Sequence, residues 1–183
     1  MALVALLRGV NVGGHRALRP AVLARQLKHL DAVNIGAAGT FVIRRPVTKA
    51  QLRAGLQRRL PFAAEITVLE GREIVSLISQ EVFARHPART DVVRFVSVLS
   101  RRPRLVPSLP SSLPSARGWL VKVLAREGRF VLGVYRRHMK TIGCLGALDR
   151  VFGAAVTTRN WSTITAVARV LRDGATSTSR KPR

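Results

Sequence analysis

Apolar positions run through the chain in two rhythms, and the first stretch is the most uncompromising. Leu3-Val4-Ala5-Leu6-Leu7 has no polar residue at either alternate position. A strand here is buried on both faces and belongs in the middle of its sheet. It runs into Arg8-Gly9-Val10-Asn11-Val12-Gly13-Gly14, a glycine-rich turn. Leu23, Leu27 and Leu30 then recur at spacings of four and three, with Pro20 suited to a first turn, which predicts a helix over 20–30. Val33–Ile35 and Thr40–Arg44 are strand candidates on either side of a Gly36–Gly39 turn. Thr48 and Gln51 have capping-box spacing, and Leu52, Leu56 and Leu60 follow on one helical face. Ala64–Leu69 is the next strand. The order strand, helix, strand, strand, helix, strand, joined by right-handed crossovers, predicts a four-stranded antiparallel sheet backed by two helices, the ferredoxin-like arrangement.

The second half repeats this layout less regularly. Gly71–Phe83 has Ile74, Leu77, Ile78 and Val82 on one helical side, and His86-Pro87 ends it. Val92–Leu99 is nearly continuous apolar, a second central strand. Arg101–Pro114 carries four prolines and three arginines and reads as an extended surface loop, so the first crossover helix of this half is weakened or missing. Gly118–Leu124 and Phe130–Tyr135 read as a hairpin closed by Glu127-Gly128. A short helix over 144–152 and a short strand over Ala154–Thr158 follow. Asn160 is placed to cap a last helix in which Trp161, Ile164, Val167 and Leu171 share a face. The expected fold is an α/β protein of the α+β kind, two ferredoxin-like βαββαβ-type halves with antiparallel sheets backed by helices. Residues 1–70 form the first domain and 71–173 the second, with helix 71–83 as connection and 174–183 as a disordered tail.

Composition changes this picture in one respect. The chain of 183 residues has 32 Lys and Arg against 9 acids, a net charge of +23. Residues 1–100 carry 15 basic and 6 acidic side chains, and residues 101–183 carry 17 and 3. Such a field draws polyanions and speeds encounter with them. A drift toward arginine is the plain alternative, although drift accounts for many arginines better than for few acids. No apolar run approaches the ~20 residues of a membrane span. The N-terminal run lacks a preceding basic residue and ends at Arg8, unlike a secretory signal. One cysteine, Cys144, excludes an intramolecular disulfide. A cytoplasmic location away from membranes is expected.

Two stretches resemble a known family. Leu6-Leu7-Arg8-Gly9-Val10-Asn11-Val12-Gly13-Gly14 resembles the opening signature LLRGINVGG of the bacterial domain-of-unknown-function family 1697, and Thr157-Thr158-Arg159-Asn160-Trp161 resembles its closing signature TTRNW. Their separation implies a resemblance over nearly the whole chain except the tail. It implies two small ferredoxin-like domains and an uncharacterised bacterial protein, with no catalytic residue to carry over. It also marks positions: Arg8, Asn11, Gly13 and Gly14 in one signature, Arg159, Asn160 and Trp161 in the other. The chain departs from the family at Ala38-Gly39-Thr40, where relatives carry Ser-Gly-Asn. Tyr135-Arg136-Arg137-His138-Met139-Lys140 has no clear equivalent to the Gly, Ser and Lys-bearing stretch that follows the family's second hairpin.

Candidate chemistry is sparse. His15, His29, His86 and His138 fall into no metal-ligand spacing, the nine acids offer no paired-carboxylate signal, and neither metal nor cofactor is expected. Cys144 lies between Gly143 and Gly146 with Lys140 near, a setting that lowers a thiol's pKa, although a small packed cysteine is the commoner case. Three readings of function stay open. The first is a binding protein for nucleic acid or another polyanion, with backbone contacts through Arg101, Arg102, Arg104, Arg136, Arg137 and Lys140. The second is a small-anion or nucleotide site, enzymatic or not. It is built from the loop with Arg8, Asn11, Gly13, Gly14, His15 and Arg16, helped by Arg159 and Asn160. The bland reading of that loop is a sharp strand-to-helix reversal. The third is an interaction or structural protein without a ligand, marked by an apolar patch or an unpaired sheet edge.

Overall fold

The computed structural model describes residues 1–11, 17–79, 83–84, 86, 89–114 and 118–178, with backbone alone over 175–178. Two compact units divide the chain, Met1–Ser79 with Thr163–Arg183, and Gln80–Ser162.

The first unit contains β1 (Leu3–Leu7), α1 (Pro20–Gln26), β2 (Ala32–Ile35), β3 (Thr40–Ile43), α2 (Lys49–Gln57), β4 (Ile66–Glu70) and α3 (Gly71–Ser79). Its sheet order is β2-β3-β1-β4 with every neighbour antiparallel, the ferredoxin-like order. The all-apolar β1 is central, and each of its five residues is buried. Ala5 lies opposite Phe41 on β3 and Val68 on β4. Leu23 and Leu27 from the α1 region and Leu52 and Leu56 from α2 close over this face. Each such buried side chain contributes about 1.5–3 kcal/mol. The capping box forms: Thr48 Oγ1 accepts from the Gln51 amide at 3.1 Å, and Gln51 Oε1 accepts from the Thr48 amide at 3.1 Å. The helix expected over 20–30 stops at Gln26 and continues as a single 3₁₀ turn, Lys28–Leu30.

The second unit contains β5 (Val92–Leu99), β6 (Ser111–Leu113), β7 (Val121–Glu127), β8 (Phe130–Arg136), α4 (Thr141–Gly146), α5 (Leu148–Phe152) and β9 (Val156–Asn160). Its order is β6-β7-β8-β5-β9. Without β6 this is the order of the first sheet, with β5 central between β8 and β9. Among the described residues, the segment between β5 and β7 holds no helix. The short strand β6 instead pairs along β7, Ser112 opposite Lys122. The hairpin loop is Gly128-Arg129 rather than Glu127-Gly128, since Glu127 still pairs with Phe130. Gly128, at φ 58, supplies the left-handed first position that such a tight loop favours. The helix expected over 144–152 is two short ones, α4 and α5, broken at Ala147. Leu148 and Phe152 pack on Phe95, Leu99, Val121, Val123 and Val131.

The last helix, α6 (Trp161–Thr178), runs past the expected end at 173. Two glycines mark close approaches along this helix. A Cβ at Gly174 would lie 3.4 Å from Arg44 Cδ, and one at Gly71 would lie 2.8 Å from Leu171 Cδ2. Packing therefore draws the units differently from chain order. Helix α3, expected as the connection, and α6 from Thr163 both fall in the first unit. Of the expected tail, residues 174–178 are helical, and 179–183 lie outside the described residues.

Candidate functional site

The strands of the second unit set out its cations by alternation. On β7 and β8, Val121, Val123 and Val131 enter the core under α4 and α5. Lys122 lies opposite Val134, two residues before Arg136, so Lys122 and Arg136 share the other sheet face. Both approach Trp119: Lys122 Nζ is 4.7 Å and the Arg136 guanidinium carbon 4.4 Å from the ring centroid. Each is a cation–π contact.

At the loop end of the hairpin, Arg101, Arg102, Arg126 and Arg129 line a cavity of about 470 Å³ with Ser100, Pro103 and Gly128. Backbone carbonyls fix three of these arginines. Arg129 donates twice to the Leu99 carbonyl, at 2.9 and 3.2 Å. Arg101 Nη2 donates to Gly153 at 3.1 Å, and Arg126 Nη1 donates to Gly128 at 2.6 Å. Between Arg101 and Lys140 the sequence has ten basic residues and one acid, Glu127, and Glu127 is not among the lining residues. A cavity lined by four arginines suits an anion with several oxygens.

The expected basic residues separate into groups. Arg101 and Arg102 share the arginine cavity, and Arg104 does not line it. Arg136 sits on Trp119. Arg137 and Lys140 line a shallow cavity of about 640 Å³ with His138 and Met139, and Arg137 Nε donates to Thr90. Reading by residue type missed Arg126, Arg129, Trp119 and Lys122. The hairpin pattern carried their signal: the loop end places Arg126 and Arg129 beside the end of β5, and alternation pairs Lys122 with the Arg136 face.

The two signature stretches belong to different units. In the first, Gly13, Gly14, His15 and Arg16 lie outside the described residues. Arg8 pairs with Glu65 at 2.9 Å. Asn11, at φ 55, donates from Nδ2 to Ala37 at 2.7 Å and to Leu18 at 3.0 Å, and its Oδ1 accepts from the Leu18 amide at 2.7 Å. The Asn11 amide is thus committed to tying this loop to its own exit and to the β2–β3 turn.

In the second stretch, Arg159 is 7% exposed, and burial pushes its guanidinium down to about 10. Its Nη1 donates to the Thr158 carbonyl at 2.7 Å. Asn160 ends β9 and directly precedes α6, the position expected of its cap, and its Oδ1 accepts the Tyr135 hydroxyl at 3.0 Å. Desolvation holds that hydroxyl above its ordinary pKa, opposed by Arg137 and by the bond to Asn160. Strand alternation sends Arg159 and Asn160 to opposite faces. Trp161 meets Phe83 edge to face at 4.9 Å. Cys144 is a half-buried free thiol in α4. Among the described residues no group of three His, Cys, Asp or Glu is placed to hold a metal ion, and no helix is long and apolar enough to cross a membrane.

Fold and site together define a protein of two ferredoxin-like α+β units, the second bearing an arginine-lined cavity. The family described as protein of unknown function DUF1697 matches residues 1–109, more than half of the chain, and the chain belongs to that family. The closing stretch 157–161 lies beyond the matched segment. A solved structure described as that of the conserved bacterial protein SP0830 from Streptococcus pneumoniae is similar, with a TM-score of 0.54 at 17% identity over 93% of this chain and 98% of that one. That likeness concerns the fold. No curated protein matches the chain.

Proposed function

We propose that this protein binds nucleic acid or a comparable polyanion through its second unit, by contacts to phosphate. The observation that carries the reading is the cavity walled by Arg101, Arg102, Arg126 and Arg129. Guanidinium groups repel one another, and four arginines lining one cavity favour an anion with several oxygens between them. The net charge of +23 supplies a long-range field that favours the encounter. The single free thiol suits a reducing compartment such as the cytoplasm. An apolar docking surface has less support, since the exposed large apolar side chains among the described residues are Met1 and the pairs Leu105–Val106 and Met139–Ile142.

The test is anisotropy of a fluorescein-labelled duplex titrated with the protein at several salt concentrations. Log affinity falls with log salt by ~0.9 per phosphate engaged. Absence of binding at low salt, or a flat salt response, overturns the proposal.

A further inference from the structure

The Trp119 cluster shares no residue with the arginine cavity and has a different chemistry. Trp119 sits just before β7, where Leu120 already bonds across to both neighbours: its amide donates to Leu113, and its carbonyl accepts from Arg136, each at 2.8 Å. The backbone beside Trp119 is therefore fixed at a sheet end, and Trp119 is half-buried. Two cations, Lys122 and Arg136, lie within 5 Å of its centroid. Neither makes an ion pair among the described residues. The carboxylate whose titration feels Arg136 is that of Asp91. It is held below its ordinary pKa first by its hydrogen bond with Arg89, at 3.0 Å.

An aromatic plane with two adjacent cations, short of carboxylate partners, matches a nucleotide better than a bare phosphate. The ring or the guanidinium plane offers a stacking surface to a base, and the two charges take the phosphates beside it. Bases inside a duplex are stacked on each other and cannot use that surface. A single strand can. We infer that Trp119, Lys122 and Arg136 form a stacking site for single-stranded nucleic acid. The inference rests on the polyanion reading above and adds a strand preference to it.

The probes are a fluorescein-labelled single-stranded oligonucleotide and its duplex, titrated by anisotropy and, with unlabelled copies, by tryptophan fluorescence. The native protein binds the single strand more tightly than the duplex, and single-strand binding quenches tryptophan emission. Trp119→Ala loses about tenfold or more of the single-strand affinity and leaves duplex affinity unchanged, so the ratio reports the site even if part of the sample is unfolded. Trp119→Phe keeps a ring for packing and abolishes the quench, because Trp161 is then the only indole. Lys122→Ala with Arg136→Ala, at half-buried and exposed positions respectively, lowers single-strand affinity more than duplex affinity. Equal affinity of the native protein for both probes, or an unchanged ratio in Trp119→Ala, overturns the site and leaves phosphate binding standing. Failure of the native protein to bind either probe at low salt overturns both.

Discussion

The two sheets share one strand order and differ in what leaves their central strand. In the first unit β1 leads through the Asn11 loop into α1, and a single amide ties that loop to Leu18 and Ala37. In the second unit β5 leads into the proline-rich segment, where β6 stands in for the crossover helix. At one junction the Asn11 amide is spent on backbone groups. At the other, guanidiniums are anchored on carbonyls yet gather around a cavity. The second core is still covered without a helix between β5 and β7, because Leu148 and Phe152 of α5 pack on it.

The cores differ in a parallel way. On the helix-covered face, the first unit places a small residue on the central strand and a large one beside it, Ala5 opposite Phe41. The second exchanges them, Phe95 opposite Gly133. A Cβ at Gly133 would meet the Lys122 carbonyl oxygen first and would then lie 2.6 Å from Phe95 Cζ, so backbone and ring together fill the space a side chain would need. Phe41→Ala and Phe95→Ala each cost about 3–5 kcal/mol in denaturant unfolding, and near-neutrality of either would break the equivalence of the two cores. Gly133→Ala costs about 1–3 kcal/mol by overpacking. Ala5→Gly costs about 1–2 kcal/mol, from a loosened strand and one buried methyl lost.

The junctions give the next effects. Asn11→Ala loses three hydrogen bonds and the left-handed tolerance at φ 55, about 2 kcal/mol in thermal unfolding. Asn11→Gly recovers part of that loss because glycine accepts the same φ. Equal losses in the two variants would show that backbone conformation is not what Asn11 supplies. At the first turn of α2, Thr48→Ala costs about 1 kcal/mol.

The smallest effect is electrostatic. Glu70 is held below its ordinary pKa chiefly by its hydrogen bond with Lys49, at 3.1 Å, with Arg72 at 2.6 Å adding to it. A carboxylate with a lowered folded pKa stabilises the fold at neutral pH. That contribution fades as pH falls from the ordinary carboxylate range through the lowered value. Melting temperature against pH should therefore fall less steeply in acid for Glu70→Gln than for the native protein. Identical slopes would assign Glu70 no part in acid stability.

Much of this was legible in local pattern. Five apolar residues without alternation placed β1 at the sheet centre, and Thr48 with Gln51 marked the start of α2. The proline content of 101–114 announced the missing helix. Illegible features depend on partners remote in sequence. Strand β6 exists because Ser111–Leu113 meet the edge of β7, not because Ser-Ser-Leu favours a strand. Helix α6 runs past 173, where Gly174 lies close to Arg44, a residue 130 positions earlier. The arginine cavity joins residues at the end of β5 to the hairpin loop, an adjacency fixed by the β5–β8 register. Single residue types therefore pointed to Arg101 and Arg102 and passed over Arg126 and Arg129.

The comparison between the units is tested most directly by moving charge from each. Salt dependence of duplex binding is measured for the native protein and two triple variants: Arg101→Gln, Arg102→Gln, Arg126→Gln in the second unit, and Arg25→Gln, Arg53→Gln, Arg58→Gln on exposed positions of the first. The second-unit variant should lose ~0.9 of slope for each phosphate contact removed, with the first-unit variant keeping the native slope. Equal losses in the two variants would contradict a binding surface built where the crossover helix is missing.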